Sequence, residues 1–378
     1  MPLIALSTAL HLYLAWRLVP AWAGWPIVAA GLALLLLASA VAMPLALHAR
    51  RIRSPRWAAV GTWAGYLCLG LFSSLLVLSL LRDAALIVAL LADAALPGRI
   101  ALDTLQWASG RAVSVIALIV TGWGFMNARR TAAVVDVEVP IRGLPPALNG
   151  FTIAQISDIH IGPTIRGGYL DAIVRSVNRL GADMVAVTGD LVDGRVQDLA
   201  PHVAPLAALS SRHGTYFVTG NHEYYSGAPA WIAELRRLGV CVLLNEHVVL
   251  RHGGAALLVA GVTDFSAHHF DAGQRSDPQA ALAGAPVDAT VRVLLAHQPR
   301  SADAAERAGF QLQLSGHTHG GQFWPWTLFV RFQQPFTAGL HRLRALWVYV
   351  SRGTGYWGPP KRLGAPSEIT RLRLVPAA

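Results

Sequence analysis

Long apolar runs dominate the first third of the chain. Four of them have the length of a membrane-spanning helix, which needs about 20 mostly apolar residues. These runs are Leu3–Val19, Trp25–Leu47, Trp57–Leu81 and Leu105–Met126. The first is the weakest, because His11 and Arg17 interrupt it; a cleaved signal peptide is its alternative, but no charged leading region precedes the apolar run. The pattern predicts an α-helical transmembrane bundle of about four spans over residues 1–130, and the apolar segment Ala84–Leu96 leaves that count open.

The pattern changes at about Thr131, where short β-prone runs begin to alternate with segments of helical length. The predicted strands are Val134–Ile141, Thr152–Ser157, Met184–Thr188, Thr215–Thr219, Ala256–Ala260, Val291–Ala296 and Leu346–Val350. The predicted helices between them are Tyr169–Leu180, Pro201–Ser210, Pro229–Leu238 and Arg300–Ala308. Strands that alternate with helices indicate a sheet with parallel pairs. Residues 131–378 are therefore predicted to form an α/β domain.

Charge is distributed unevenly between these two parts. Only 14% of the residues are charged, against roughly 25% in a soluble domain. Residues 1–130 hold ten of the 31 basic and three of the 21 acidic residues, so they carry +7 of the net charge of +10. The basic charge thus belongs mainly to the apolar part, which argues against nucleic acid as a partner of the α/β domain. The two cysteines, Cys68 and Cys241, are interpreted as buried small hydrophobes.

Basic residues in short loops predict the orientation in the membrane. Two clusters qualify: Arg50, Arg51, Arg53 and Arg56 between the second and third runs, and Arg129 with Arg130 after the fourth. With four spans both clusters fall on one side, which the positive-inside rule makes cytoplasmic. We therefore expect a multi-pass protein of the inner (cytoplasmic) membrane with its α/β domain in the cytoplasm. His11, His48 and Asp93 form no spaced cluster, and anchoring or loop roles are favoured for them over functional ones.

Five short motifs after residue 150 carry the chemistry. They are Asp158-Ile159-His160, Gly189-Asp190-Leu191-Val192-Asp193, Gly220-Asn221-His222-Glu223, the single His297, and Gly316-His317-Thr318-His319. Several of these residues directly follow predicted strands, and ligands of open α/β sheets gather at such strand ends. Imidazole and oxygen donors without thiolate suit Mn, Fe or Zn. The motifs predict a site for two divalent ions about 3.5–4 Å apart, a geometry that supports phosphoryl transfer.

Each residue type suggests a role. Asp158 and His160, two apart on an extended segment, project to the same side and can hold one ion. The two oxygens of Asp190 make it the natural bridge between two ions, and Gly189 permits a close backbone approach. Asn221 offers a neutral carbonyl oxygen, His297 and His317 can complete the second ion's shell, and His319 can complete the first. His222 is predicted to be the general acid, and a water shared by the two ions the nucleophile.

These motifs resemble those of the calcineurin-like metallophosphoesterases. The extended forms Gly316-His317-Thr318-His319-Gly320-Gly321-Gln322 and Ser351-Arg352-Gly353-Thr354-Gly355 are similar to a membrane-anchored bacterial branch that includes relatives of the YaeI and YkuE phosphodiesterases and transmembrane metallophosphoesterases. The resemblance implies a four-layer sandwich with two mixed sheets between helices. It also implies one metal at Asp158, His160, Asp190 and His319, and a second at Asp190, Asn221, His297 and His317.

The chain departs from the protein Ser/Thr phosphatases of this family in two places. Those enzymes carry Asp-Arg-Gly after the second motif and an Arg before Asn-His-Glu, where this chain has Asp193-Gly194-Arg195 and Thr219. A protein substrate is therefore disfavoured. For Asp193 and Glu223, orientation of a ligand and capping of a turn or helix remain equal alternatives.

The aromatic segment 323–336, directly after the last metal motif, bears on the substrate. It is expected either to meet the bilayer or an acyl chain, with Arg331, Arg342 and Arg344 near lipid phosphates, or to pack under the sheet. The function predicted is a manganese-favouring metallophosphoesterase acting on a lipid-linked phosphodiester or pyrophosphate. The family branch suggests UDP-2,3-diacylglucosamine, and hence lipid A biosynthesis. A broad nucleotide or phospholipid phosphodiesterase and a non-catalytic membrane scaffold or sensor are the alternatives.

Overall fold

The computed structural model describes residues 2–48 and 54–377 and divides into two compact units. The first unit comprises Met1–Asn127 together with Gly358–Lys361, and the second comprises Ala128–Trp357 with Arg362–Ala378. Each unit follows from a different sequence pattern: unbroken apolar runs give the first, and alternating short strands and helices give the second.

The first unit is built from four helices that are long and apolar enough to cross a membrane. They are α1 (Pro2–Leu18), α2 (Pro26–His48), α3 (Pro55–Ala95) and α4 (Leu102–Arg129), the last of which continues into the second unit. Helix α3 has 41 residues, which correspond to about 60 Å. The segment Ala84–Leu96, which left the number of spans open, lies on α3 up to Ala95 and forms no separate helix. The expected four apolar helices are confirmed.

Two polar side chains of the first unit that the sequence analysis considered, His11 and Asp93, have structural partners. His11 lies 2.7 Å from the carbonyl of Ser7 and 2.9 Å from the hydroxyl of Ser39, and its ring stacks on Phe72. Asp93 accepts hydrogen bonds from backbone N–H groups of the turn after α3. The side chain of His48 lies outside the described part of the chain, as do Arg50, Arg51 and Arg53 of the first basic cluster.

The second unit contains two mixed six-stranded sheets. The first has the order β1 (Ala133–Ile141), β12 (Glu368–Pro376), β2 (Thr152–Ile156), β3 (Met184–Val187), β4 (Thr215–Phe217), β5 (Cys241–Val242). The second has the order β10 (Gly339–Leu343), β11 (Leu346–Val350), β9 (Leu312–Ser315), β8 (Val291–Leu295), β7 (Ala255–Gly261), β6 (Glu246–His252). Most neighbouring strands are parallel; β12 runs antiparallel to β2, β10 to β11, and β6 to β7.

Three apolar cores hold the sheets and helices in layers. The middle core lies between the two sheets and includes Ile153, Leu257 and Leu312, all fully buried. A second core joins the first sheet to α5 (Gly167–Asn178), α6 (Val196–Val203) and α8 (Ala228–Arg237). The third lies on the outer face of the second sheet, with α9 (Ala302–Arg307). The expected sandwich with two mixed sheets is confirmed.

Local patterning predicted most of these elements and missed some. Strands β5, β6, β9, β10 and β12 are not among the predicted strands. Strand β9 has only four residues, in which buried Gln313 and Ser315 alternate with two leucines. The burial predicted for Cys241 is wrong: its strand has two residues at the end of the sheet, and the side chain is exposed.

Candidate metal centre

The chemically active residues follow the ends of strands in both sheets. The chain passes from β2 to Asp158, from β3 to Asp190, and from β4 to Asn221, which begins the short helix α7 (Asn221–Ser226). In the second sheet, His297 follows β8 and His317 follows β9. Because these parallel strands end at the same edge, residues far apart in sequence meet at one place.

One group of donor atoms consists of Asp158, His160 and His319. All three side chains are buried. The Nε2 atom of His319 lies 3.0 Å from Nε2 of His160 and 3.5 Å from Oδ1 of Asp158. Burial raises the pKa of the Asp158 carboxyl. A buried carboxylate facing two imidazole nitrogens has the donor set that a divalent cation requires.

A second group consists of Asp190, His297 and His317. Nε2 of His297 lies 3.1 Å from Oδ2 of Asp190 and 3.2 Å from Nδ1 of His317. Nδ1 of His297 lies 2.7 Å from the carbonyl of Thr188, which leaves Nε2 available for a ligand role. Burial lowers the pKa of His317 to about 3, so this imidazole is neutral, as a metal ligand must be.

Asn221 adds a donor to this second group. Its Oδ1 atom is buried and has no hydrogen-bond partner within the described residues. A buried carbonyl oxygen without a partner costs about 1–3 kcal/mol unless a ligand satisfies it. The neutral oxygen of an asparagine is a suitable ligand for a divalent ion, so the residues present fit a metal centre.

Asp190 lies between the two groups. Its Oδ2 atom is 3.1 Å from Nε2 of His297 in one group and 3.9 Å from Nε2 of His160 in the other. Its Oδ1 atom accepts the backbone N–H of His222 at 2.8 Å. Burial alone would raise the pKa of this carboxyl, but the charge and hydrogen bond of His297 hold it well below its usual range. The structure thus places the expected bridging residue where both ligand sets can share it.

Left-handed backbone conformations concentrate in this centre. Asp158, His160, Asp190, His317 and His319 all have φ between 51° and 70°. Such conformations cost of order 1–3 kcal/mol each and persist where the surrounding structure enforces them. The expected extended geometry at Asp158 and His160 is therefore wrong: β2 ends at Ile156, and irregular backbone brings the two side chains together.

Asp193 connects two histidines. Its Oδ1 atom lies 3.0 Å from Nδ1 of His160 and 2.6 Å from Nδ1 of His222. A carboxylate accepts from both N–H groups, so Nε2 of His160 is free to face the metal site. Burial alone would lower the pKa of His222, but the hydrogen bond to Asp193 and the nearby charges of Asp190 and Glu223 raise it to about 9. His222 is therefore protonated at neutral pH and able to donate a proton.

Glu223 fixes the backbone of two motifs at once. Its carboxylate accepts from the N–H groups of Gly220 at 2.7 Å, Asp190 at 3.0 Å and Leu191 at 2.8 Å. It therefore both caps the start of α7 and ties that helix to the loop that carries Asp190. The two roles left open for Glu223 in the sequence occur together.

Arg362 is a part of the centre that the sequence did not indicate. It is 1% exposed, and its guanidinium lies 3.1 Å from Nδ1 of His319 and donates to the carbonyls of His319 and Arg352. Burial, with the nearby His160 ring and the positive charge of Arg362, holds the pKa of His319 well below its usual range. No spacing to a motif signals Arg362, because it follows the Ser351–Gly355 motif in a loop without regular structure.

Comparisons with known proteins give the family. The model of the calcineurin-like phosphoesterase family matches residues 151–321, which include all five motifs. A bovine transmembrane protein with a metallophosphoesterase domain is 41% identical over 305 residues, which cover 73% of this chain and 68% of that protein. The chain belongs to the calcineurin-like metallophosphoesterase family.

Bacterial metallophosphoesterases are also similar. A Campylobacter jejuni metallophosphoesterase is 36% identical over 250 residues, covering 66% of this chain and 64% of that protein. The metallophosphoesterase YkuE of Bacillus subtilis is 27% identical over 265 residues, covering 67% and 90%. The predicted family and its enzyme class, a metal-dependent phosphoester hydrolase, are confirmed. The four apolar helices and the transmembrane relatives identify this metallophosphoesterase as a membrane protein.

Gly189 should be required for the metal centre of this metallophosphoesterase. Its φ is 86°, and a Cβ would lie 2.7 Å from the backbone nitrogen of Gly220 and 2.7 Å from Nδ1 of His297. Gly214 has a φ of 89°, and a Cβ there would meet no atom within 4 Å, so this position isolates the backbone cost. We expect Gly214→Ala to cost about 1–2 kcal/mol and Gly189→Ala more, with loss of bound metal.

Thermal unfolding in detergent and metal analysis by mass spectrometry would measure both effects. Equal destabilisation by the two variants, with metal content unchanged, would contradict the close approach at Gly189.

Proposed function

We propose that this protein is a membrane-embedded two-metal phosphoesterase that hydrolyses a phosphodiester or pyrophosphate bond in a lipid-linked substrate. The observation that carries the hydrolase proposal is the meeting of two buried donor groups at one carboxylate, Asp190. A single structural metal would not need two groups that share a ligand. Two adjacent ions are the arrangement that stabilises both attacking and leaving oxygens in phosphoryl transfer.

The proposed ligands follow from the two groups. The first metal would be held by Asp158, His160, Asp190 and His319, and the second by Asp190, Asn221, His297 and His317. When bound, such ions polarise the phosphoryl group and lower the pKa of a coordinated water. Donors of imidazole and oxygen without thiolate suit Mn, Fe or Zn, and we propose Mn²⁺ as the working ion.

His222 is the proposed general acid. Its ring is only partly buried, with 16% of the side chain exposed, so it borders both the metal centre and solvent. Asp193 holds its Nδ1, which directs the proton on Nε2 away from the carboxylate. A proton at that atom can pass to the leaving oxygen as the phosphorus–oxygen bond breaks. Asp193 positions His222 for this transfer and positions His160 with the same oxygen.

The aromatic segment 323–336 supports a lipid-linked substrate. Its ends pack into the protein: Phe323 is buried, and Phe336 packs against the outer core of the second sheet. Its middle, with α10 (Trp326–Phe329), is exposed, and Phe332 is 74% exposed. The guanidinium of Arg331 lies over the Phe332 ring. Exposed aromatic side chains beside a cation are suited to the apolar–polar boundary of a bilayer.

The other two arginines predicted to meet lipid phosphates have protein partners. Arg344 pairs with Glu306 at 3.1 Å, and Arg342 lies over the ring of Trp347. Arg331 is therefore the arginine that we propose for lipid phosphate. A molecule with a phosphoester close to acyl chains fits this arrangement, and UDP-2,3-diacylglucosamine, an intermediate of lipid A biosynthesis, is the specific substrate proposed.

Turnover by the purified protein would test the hydrolase proposal. We expect Mn²⁺-dependent cleavage of UDP-2,3-diacylglucosamine in detergent at a rate far above that of bis-p-nitrophenyl phosphate, followed by mass spectrometry. Asn221→Ala should reduce turnover by at least about 100-fold, because it removes a proposed ligand. Asn149→Ala, at an exposed asparagine, is the matched control and should retain activity.

Cleavage of the aryl diester alone would leave a broad phosphodiesterase and exclude this lipid. Metal binding without turnover of either compound would favour a non-catalytic membrane scaffold or sensor and overturn the hydrolase proposal.

Replacement of the exposed aromatic side chains would test the lipid contact. We expect the double variant Trp326→Ser and Phe332→Ser to lose most turnover of the lipid substrate, since these side chains are 50% and 74% exposed and support no core. Turnover of bis-p-nitrophenyl phosphate should be retained, because that small ester needs no lipid contact. Equal losses on both substrates would show that the segment serves the fold or the metal centre instead.

We also propose that the catalytic domain faces the cytoplasm from the inner membrane. Arg129 ends the last apolar helix and Arg130 follows it; both are exposed. Basic residues favour the cytoplasmic side of a span. Arg56, at the start of α3, belongs to the other predicted basic cluster.

Thiol labelling would test this orientation. Cys241 is exposed, whereas Cys68 lies within α3 and is half-buried. A membrane-impermeant maleimide should therefore label Cys241 after lysis of bacterial spheroplasts but not in intact ones. Cys241→Ser should abolish the signal of the lysed sample. Labelling of the wild type in intact spheroplasts would place the domain outside.

A further inference from the structure

Large aromatic side chains stand at the exposed side of His222. The ring centroid of Tyr225 is 5.2 Å from that of His222, and the ring centroid of Trp357 is 5.8 Å from it. Both rings meet the imidazole nearly perpendicularly, at 71° and 76°. Yet Tyr225 is 58% exposed and Trp357 is 54% exposed. Aromatic surface left in solvent beside a polar reactive group contributes little to the stability of the fold and is typical of a binding surface.

Tyr225 is positioned by helix α7, which also carries His222. Tyr225 lies three residues after His222 on α7, so the two side chains occupy the same face of the helix. Phe270 supports this side: its ring is 5.5 Å from Tyr225 and stacks on Tyr224 at 5.6 Å. The hydroxyl of Tyr224 donates to Gln274 at 2.7 Å. The exposed ring of Tyr225 therefore stands on an ordered base.

Trp357 is positioned by hydrogen bonds to the loop that follows the His317–His319 motif. The backbone N–H of Trp357 donates to Oε1 of Gln322 at 2.8 Å, and Nε2 of Gln322 donates to the Trp357 carbonyl at 2.9 Å. Gln322 follows the His317–His319 motif and has a φ of 59°, a conformation that is costly for a residue with a side chain. Two hydrogen bonds thus hold Trp357 in place relative to the metal motif while its ring stays exposed.

The positions of Tyr225 and Trp357 beside His222 indicate which part of a substrate these two rings would contact. A general acid must lie within hydrogen-bond reach of the leaving oxygen. The group attached to that oxygen then extends past His222, where Tyr225 and Trp357 lie. Both side chains are aromatic, and the faces of their rings are apolar, although Tyr carries a hydroxyl and Trp an N–H group. Such ring faces favour a leaving group with an aromatic or aliphatic part over one that is polar throughout.

We propose that Tyr225 and Trp357 form a subsite for the leaving group, which selects substrates whose leaving group carries an aromatic or aliphatic part near the scissile oxygen. This inference rests on the proposed hydrolase function and on His222 as its acid. It is separate from the lipid contact of segment 323–336, because it concerns the substrate atoms beside the reacting phosphorus.

Two leaving groups of similar acidity but different apolar area would test the subsite. Methyl 2-naphthyl phosphate and methyl 4-chlorophenyl phosphate serve this purpose, since acidity then contributes nearly equally to both rates. We expect the full-length protein in detergent with Mn²⁺ to prefer the naphthyl ester about tenfold in kcat/KM, the effect of burying a few extra ring carbons. Trp357→Ala should bring this ratio close to one, and Trp357→Phe should restore most of it.

Controls separate this effect from damage to the fold or the metal centre. Tyr225→Ala should lower the ratio in the same direction, and Val287→Ala, at a side chain that is 97% exposed, should leave it unchanged. Metal content of each variant should equal that of the wild type. Because every variant is assayed in the same detergent, partition of the esters into micelles affects all of them equally.

The outcomes are distinct. An unchanged ratio in Trp357→Ala and Tyr225→Ala, or an equal loss of both activities, would overturn the subsite while the hydrolase function stands. Failure of the wild type to cleave either ester while it hydrolyses UDP-2,3-diacylglucosamine would overturn the subsite alone. Failure on all three compounds would overturn the proposed function, and this inference with it.

Discussion

Burial of two carboxylates at the shared edge of the sheets is the constraint on which the centre depends. Asp158 is fully buried and Asp190 is 3% exposed. Removing a carboxylate from water is costly unless a cation or several donors compensate. Both receive backbone N–H groups, Asp158 from His317 and Asp190 from His222. The carboxylate oxygens of Asp158 and Asp190 also face imidazole nitrogens of His319 and His297. Two buried carboxylates that are already surrounded by imidazole donors form a site suited to divalent cations.

That constraint explains why the backbone around the centre departs from regular structure. A carboxylate at the end of a strand reaches the shared edge only if the chain turns sharply after the strand, and Asp158 and Asp190 do so with left-handed φ. Glu223 supports one of these turns through the N–H groups of Asp190 and Leu191. The strain is concentrated in the ligand loops, while the strands before them are regular and deeply buried. The favourable packing of the layers thus offsets the free-energy cost of the strained backbone in the metal centre.

Sequence alone predicted the parts of this arrangement that depend on residue type and order. The apolar runs gave the membrane helices, and the strand-end positions of Asp158, Asp190, Asn221 and His297 gave one site. The backbone at Asp158 and His160 was predicted wrongly, because tertiary contacts rather than local propensity impose a positive φ. Strand β9 was missed because it has only four residues, in which buried Gln313 and Ser315 alternate with two leucines, so no apolar run marks it. Arg362 was missed for a similar reason: its partners are backbone carbonyls and one imidazole, which leave no sequence pattern.

The two exposed aromatic groups of the catalytic domain differ in their support, and this difference separates their roles. Tyr225 and Trp357 are held against ligand-bearing segments by ring contacts and paired hydrogen bonds, so their positions relative to His222 are set by the metal centre itself. Trp326, Phe329 and Phe332 contact mainly one another, with ring centroids about 6 Å apart, and lie on short helical turns. Rings fixed to the reactive residues suit recognition of a defined group. Rings that contact mainly one another suit a fluid apolar phase, where no single geometry is required. The substrate that we propose, a phosphoester presented from a bilayer, would make both kinds of contact at once.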